Sequence, residues 1–187
     1  MIKEFEENAL AGIQCDIELS PGEEIQKKAL EEWIKNRNSD NSNLGLQLVE
    51  LYPNDPDALI NLGFFYYMNK DYTNAISAFE KAGLMENLDN VYCGPKLAIV
   101  PICMLGYSYL ITEQLDKAKT SFDTYIQLYP DEQNPYDCKA DYFMTTKEYD
   151  KAYDCYMTAY RIDTTFQVFL QRALNAKYHY DSIQTNK

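Results

Sequence analysis

The feature that most constrains this chain is that it repeats itself. Residues 59 to 82 carry Leu59, Leu62-Gly63, Tyr66, Ala75, Phe79 and Ala82; residues 102 to 125 carry Ile102, Leu105-Gly106, Tyr109, Ala118, Phe122 and Tyr125, every pair offset by 43 positions. A third set, Tyr136, Ala140, Phe143, Ala152, Tyr156 and Ala159, follows 34 positions later. Repetition at such a period means one supersecondary unit stacked on copies of itself, because a single copy cannot bury its apolar face alone. Within each copy an apolar residue, a small one four later and an aromatic three further on share one face of a helix at about 3.6 residues per turn. Ala75, Phe79 and Ala82 repeat the device on a second helix. Gly63 and Gly106 each cost about 1 kcal/mol relative to alanine inside a helix. Close approach of the paired helix, with the aromatic filling the groove beside it, is the expected compensation.

Punctuation falls where paired helices need it. Asn69-Lys70-Asp71 and Thr112-Glu113-Gln114 separate first from second helices, with Asp71 and Thr112 placed to cap or terminate them. Leu51-Tyr52-Pro53-Asn54-Asp55-Pro56 and Leu128-Tyr129-Pro130-Asp131 are near-duplicates, each closing a helix with a proline that cannot continue it. Their spacing implies a further, degenerate copy upstream, with helices around 22–37 and 42–52. There Ala29 takes the small-residue place, but Glu32 and Gly45 stand where rings are expected, with Trp33 next to the first. Ser20-Pro21-Gly22-Glu23-Glu24 reads as its helix start. An additional amphipathic helix is expected over 3–18 and a closing one over 165–181, the latter carrying Phe166, Phe169, Leu170, Ala173, Leu174 and Tyr178. Nine extra residues fall within 83–98, and the next helix should start near Val100, with Pro101 in its first turn.

This arrangement, at a period of 34, resembles the tetratricopeptide repeat, TPR. The resemblance covers residues 56 to 164, and residues 22 to 55 through the degenerate copy. It implies an all-α fold, an α-solenoid of stacked helix-turn-helix units winding into a right-handed superhelix. The organisation expected is one TPR-like domain over 1–187: an N-terminal helix (1–21), a degenerate repeat or cap (22–55), a repeat with an insertion (56–98), two further repeats (99–132 and 133–164) and a capping helix (165–187). It implies also a non-catalytic module that binds a partner polypeptide in a concave groove lined by the first helices. Carried over position by position, the groove takes Asp57, Ile60, Asn61, Phe64, Tyr67 and Met68 from the first clear copy. The second supplies Val100, Cys103, Met104, Tyr107, Leu110 and Ile111, and the third Asn134, Asp137, Cys138, Asp141, Met144 and Thr145. The surface is apolar and aromatic, with acids at one end.

The best-known use of such a groove is a clamp of Lys, Asn and Arg side chains on an acidic C-terminus. At the corresponding places stand Ile60, Phe64, Met104, Asn134 and Cys138, none of them basic. A carboxylate buried there without a cation would lose several kcal/mol, so an apolar or basic segment is the expected ligand. Phe64, Tyr67 and Tyr107 are the candidate anchors. A structural or self-association role, as a homodimer or as the repeat domain of a larger protein, is the alternative, because an exposed apolar face tends to be covered by something.

Charge narrows the partners further. Lys and Arg number 17 against 29 Asp and Glu, a net charge of −12, with no basic cluster. Nucleic acid and anionic membrane surfaces are therefore not expected as partners, since both rest on cationic side chains. Residues 1 to 32 alone sum to −6, a solvated helical surface or a docking patch for a basic partner.

Nothing in the chain is arranged for chemistry. Cys15, Cys93, Cys103, Cys138 and Cys155 are odd in number and form no C-x-x-C pair, which argues against a disulfide framework or a zinc site. His179 is the one histidine, and no phosphate-binding loop or nucleophile elbow occurs. Asp137 and Asp141 lie four apart on a helical face, but a hard cation needs more oxygen ligands than one helix supplies, so they are expected to be solvated. No cofactor and no metal is expected. The N-terminus lacks the pattern of a signal peptide, and no stretch approaches the ~20 apolar residues of a membrane span. Free thiols then suit the cytoplasm, or an exported protein if Met1 replaces a leader.

Overall fold

In the computed structural model of the chain, residues 42–53, 56–83 and 101–185 are described. They form helices and turns, with no strand among them: α1 (Ser42–Leu51), α2 (Pro56–Met68), α3 (Tyr72–Lys81), α4 (Pro101–Ile111), α5 (Leu115–Leu128), α6 (Gln133–Thr145), α7 (Tyr149–Ile162) and α8 (Gln167–Thr185). The helices expected over 3–18 and 22–37, and nearly all of the insertion at 83–98, lie outside the described residues. The chain divides into two compact units between Thr112 and Glu113.

In the first unit α2 packs on both α1 and α3, while α4 packs on α3 and touches α2. Leu62, Phe65, Ala75, Ile76 and Phe79 are buried between the pairs. The repeat pattern states why these helices come so close. A β-carbon on Gly63 would stand 2.7 Å from two atoms of the Phe79 ring, so only glycine lets the ring lie flat against the α2 backbone. Gly45 does the same for the Phe65 ring, whose Cδ2 would lie 2.7 Å from an added β-carbon. The sequence pattern asks for a ring at position 45; the space is filled instead by a ring from α2. Between α3 and α4 the Tyr109 hydroxyl donates to Glu80 Oε1 at 2.8 Å. Burial and that bond hold the phenol well above its ordinary range.

The second unit is a run of neighbours, α5 on α6, α6 on α7 and α7 on α8. Ala118, Ala140, Ala152, Ala159, Ala173 and Ala176 are all 0% exposed, so these contacts are made at small side chains. Phe122 and Tyr142 meet edge to face between α5 and α6, with centroids 6.5 Å apart. The connection from α7 to α8 is short. Asp163 turns it by accepting from the backbone N–H and the hydroxyl of Thr165, at 2.9 and 2.7 Å.

The turns between helix pairs share one geometry. Lys70, Glu113 and Lys147 have φ of 63°, 62° and 63°, in the left-handed region, at the same place in each copy. After α2 the N–H of Asp71 reaches the carbonyl of Tyr66 and that of Lys70 the carbonyl of Tyr67; after α6, Glu148 reaches Phe143 and Lys147 reaches Met144. These are Schellman closures, which satisfy the last carbonyls of the ending helix. Asp71 then caps α3, its side chain accepting from Asn74 N–H at 3.2 Å. Thr112 acts at the other end of its turn, its hydroxyl donating to the Ser108 carbonyl at 2.8 Å.

Candidate protein-binding face

In the first unit the groove positions fall on α2 and α4, the two first helices that touch. Ile60, Asn61, Phe64, Tyr67 and Met68 of α2 are half-buried, as are Cys103 and Tyr107 of α4, while Ile111 is exposed. Phe64 stands edge-on to the buried Phe65, with centroids 5.5 Å apart, and Tyr67 edge-on to Tyr72 at 5.7 Å. Rings held in this way have few rotamers left to lose when something packs on them. Two positions depart from the expectation. Met104 is 4% exposed and Leu110 8% exposed. They are part of the packing of the unit and offer it no outer surface, because α4 buries residues on most of its circumference. Val100 is outside the described residues, and of the Asp57 side chain nothing is described.

In the second unit the third copy behaves differently. Cys138 is 5% exposed and so lies beneath the surface. Asn134 and Thr145 are exposed and Met144 is half-buried. Asp137 and Asp141 are not the solvated pair expected. Arg172, from α8, donates through Nη1 to Asp137 Oδ1 at 2.6 Å and stands 3.6 Å from Asp141 Oδ1. The Tyr156 hydroxyl, from α7, donates to Asp141 Oδ1 at 2.5 Å. The guanidinium also lies over the Tyr156 ring, 5.8 Å from its centroid. Three helices thus close over two carboxylates. Burial, with Asp141 adding to it, pushes the Asp137 carboxyl up to about 6 against the pull of Arg172. Burial and the bond to Asp141 also raise the Tyr156 phenol.

The sequence reading missed Arg172, Tyr156 and Lys139 as partners of these acids and their neighbours. A signal was available for Arg172. It falls three residues after Phe169 and four before Ala176, both buried, so it shares the inward stripe of α8 and needs an anion there. Lys139 likewise sits among buried residues of α6, with its ammonium 2.7 Å from Asp123 Oδ1, and 5.0 and 5.3 Å from the centroids of Tyr142 and Phe143. Burial lowers its affinity for the proton.

The remaining candidates for chemistry are occupied in packing. Burial pushes the Cys155 thiol up to about 11, which leaves it as the unreactive thiol at neutral pH. His179 stacks on Tyr149, with centroids 5.2 Å apart. Among the described residues no group of three His, Cys, Asp or Glu side chains could hold a metal ion, and no helix is long and apolar enough to cross a membrane. Of the closing helix, Phe169 and Ala173 are buried as expected, whereas Phe166, Leu174 and Tyr178 are exposed. Leu174 and Tyr178, four apart, fall on the side of α8 away from its inward stripe.

Comparison with known proteins agrees with this architecture. Models of the tetratricopeptide repeat match residues 44–77 and 102–132. No curated protein matches the chain. Among solved structures, residues 41 to the end of MamA from Desulfovibrio magneticus RS-1 are similar with a TM-score of 0.60 at 14% identity, over 90% of this chain and 96% of that one. MamA of AMB-1 is similar with a TM-score of 0.58 at 17% identity, over 86% of this chain and 88% of that one. At such identities the likeness is one of fold, and the fold is the all-α TPR solenoid read from the spacing. The matched repeats, the glycine-to-ring contact inside the first hairpin and the recurring left-handed turn together identify tetratricopeptide repeats in this chain.

Proposed function

We propose that this protein is a non-catalytic interaction scaffold that holds a segment of a partner polypeptide on the face shared by α2 and α4. Protein or peptide binding in general is the use to which such repeats are put. The observation that favours this face is the row of half-buried apolar and aromatic side chains, Ile60, Phe64, Tyr67 and Tyr107, on two first helices in contact. Aromatic anchors of this kind dominate binding energy where they fill a desolvated contact.

The chemistry of the face selects the ligand. None of Ile60, Phe64, Tyr67 and Tyr107 carries a positive charge, and the whole chain stands at −12. An acidic segment would meet repulsion and no compensating cation, so the segment bound is apolar or basic.

The test is an array of short peptides of apolar, basic and acidic composition, probed with the wild-type protein and with a Phe64→Ala/Tyr107→Ala double variant. Apolar or basic peptides should bind the wild type, and the double variant should lose about tenfold or more in affinity. Equal binding by both proteins would remove the face from consideration. Mass measured by light scattering over a range of concentration separates this reading from self-association, in which mass rises with concentration.

A further inference from the structure

Helix α8 carries the pattern of a first helix. Tyr136, Lys139 and Ala140 of α6 recur 33 positions later as Phe169, Arg172 and Ala173: a ring, a base and a small residue in the same order. The matched positions also pack alike. Ala140 and Ala173 are both fully buried, and each base is paired with an acid on another helix, Lys139 with Asp123 and Arg172 with Asp137.

A first helix of these hairpins has a second helix laid against it. In the first hairpin the Phe79 ring of the second helix lies on Gly63, the small residue of the first. In the hairpin of α6 and α7 the Tyr156 hydroxyl reaches Asp141, the residue after the small Ala140, at 2.5 Å. The counterpart of Asp141 on α8 is Leu174. It belongs to a stripe of Leu170, Leu174 and Tyr178, spaced by four along one face of the helix. That stripe is open, Leu174 being 50% and Tyr178 69% exposed. Where α6 offers a carboxylate that a phenol and a guanidinium satisfy, α8 offers a leucine, whose burial is favourable only against apolar groups. A helix that finished a stack would present polar side chains there.

We propose that Leu170, Leu174 and Tyr178 form a docking seat for an amphipathic helix of another polypeptide, one that bears the second-helix signature of this fold. The signature is an alanine, a ring four residues on and an alanine or ring three further, as in Ala75-Phe79-Ala82, Ala118-Phe122-Tyr125 and Ala152-Tyr156-Ala159. The occupant follows from continuity with the stacking already present. Helix α7 lies on α6, α8 lies on α7, and the same nesting of small residues against rings specifies what comes next. The mode of binding is an apolar helix face laid on a complementary helical surface. The seat belongs to the second unit and shares no residue with the face on α2 and α4.

The experiment titrates the full chain, under reducing conditions, into fluorescently labelled synthetic peptides of residues 115–128 and 149–162, which carry the signature twice over. Isolated helices of this length are marginal in water, so folding accompanies binding. At least one peptide should bind saturably, and a Leu174→Ser/Tyr178→Ser variant should bind it about tenfold or more weakly. Both substituted positions are exposed, so the variant should keep the wild-type urea midpoint. Phe64→Ala/Tyr107→Ala should bind as the wild type does, which separates this seat from the face on α2 and α4. Peptides carrying Phe122→Ser or Tyr156→Ser should bind about tenfold or more weakly than their parents. Absence of binding by both peptides would overturn the proposal, as would equal binding by wild type and the Leu174→Ser/Tyr178→Ser variant, or indifference to the ring in the peptide. So would a mass that rises with concentration in the wild type and not in that variant, since the stripe would then belong to a second copy of the chain.

Discussion

The ring of Phe79 lies against the backbone of Gly63 so closely that a single added methyl group would stand 2.7 Å from its Cδ1 and Cε1 atoms. Two tendencies compete at that position. Alanine improves helix propensity by about 1 kcal/mol. Phe79 is 0% exposed and has nowhere to retreat, and forcing a close-packed ring aside costs typically 1–3 kcal/mol. Gly63→Ala is therefore expected to destabilise the protein by about 1 kcal/mol in urea unfolding. In a Phe79→Ala background the same change should become neutral or favourable, and a cycle without that reversal would show that the contact does not set the cost.

The turn after α6 stores a penalty that one substitution should release. Lys147 holds φ at 63° and is exposed, so its side chain gains little for the strain of a β-carbon in that region, roughly 1–2 kcal/mol. Glycine removes the strain and gives back about half of it through the greater freedom of the unfolded chain. Lys147→Gly should raise stability by about 0.5–1 kcal/mol, seen as a higher denaturation midpoint with an unchanged slope. Lys147→Val, branched where the backbone is crowded, should lower it.

Lys139 and Asp123 should respond unequally to truncation, though they form one ion pair. The Lys139 side chain is 5% exposed and that of Asp123 40%. Asp123 also has Lys119 at 2.7 Å and can return to water. Lys139→Met keeps the volume over Tyr142 and Phe143 and leaves no stranded charge, so it should change stability by less than about 1 kcal/mol. Asp123→Ala leaves a desolvated ammonium with the Lys119 carbonyl at 3.3 Å and two ring faces, and should cost about 2 kcal/mol or more. Equal losses from the two variants, measured by chemical denaturation, would contradict the difference in burial.

The hairpins were legible because close packing leaves a mark on single residues. Gly63, Ala75 and Phe79 must be small, small and large for two helices to nest, and the offsets of 43 and 34 repeat that requirement along the chain. The helix expected over 42–52 is Ser42–Leu51, and the turn at Asp71 caps the next helix as its residue type suggests. The polar partners were not legible in the same way. Whether Asp137 meets water or Arg172 depends on where a helix 35 residues further on is laid, and no periodicity records that. Met104 and Cys138 were misjudged for a related reason. A helix with neighbours on several sides buries positions that a two-faced pattern assigns to the surface, as α4 does from Met104 to Leu110.

The pairing of Gly45 with Phe65 shows that the ring of a layer can come from either of the two helices that meet there. At the corresponding places of the next copies stand Phe79 and Ser108, then Phe122 and Tyr142. Bulk has changed hands between neighbouring helices: an absent side chain opposite a ring, then a ring where the next helix supplies only a hydroxymethyl group. The third layer carries a ring on each side, Phe122 against Tyr142. Enlarging Gly45 alone should therefore cost more than enlarging it together with truncation of Phe65, because the space it would enter is already taken by that ring.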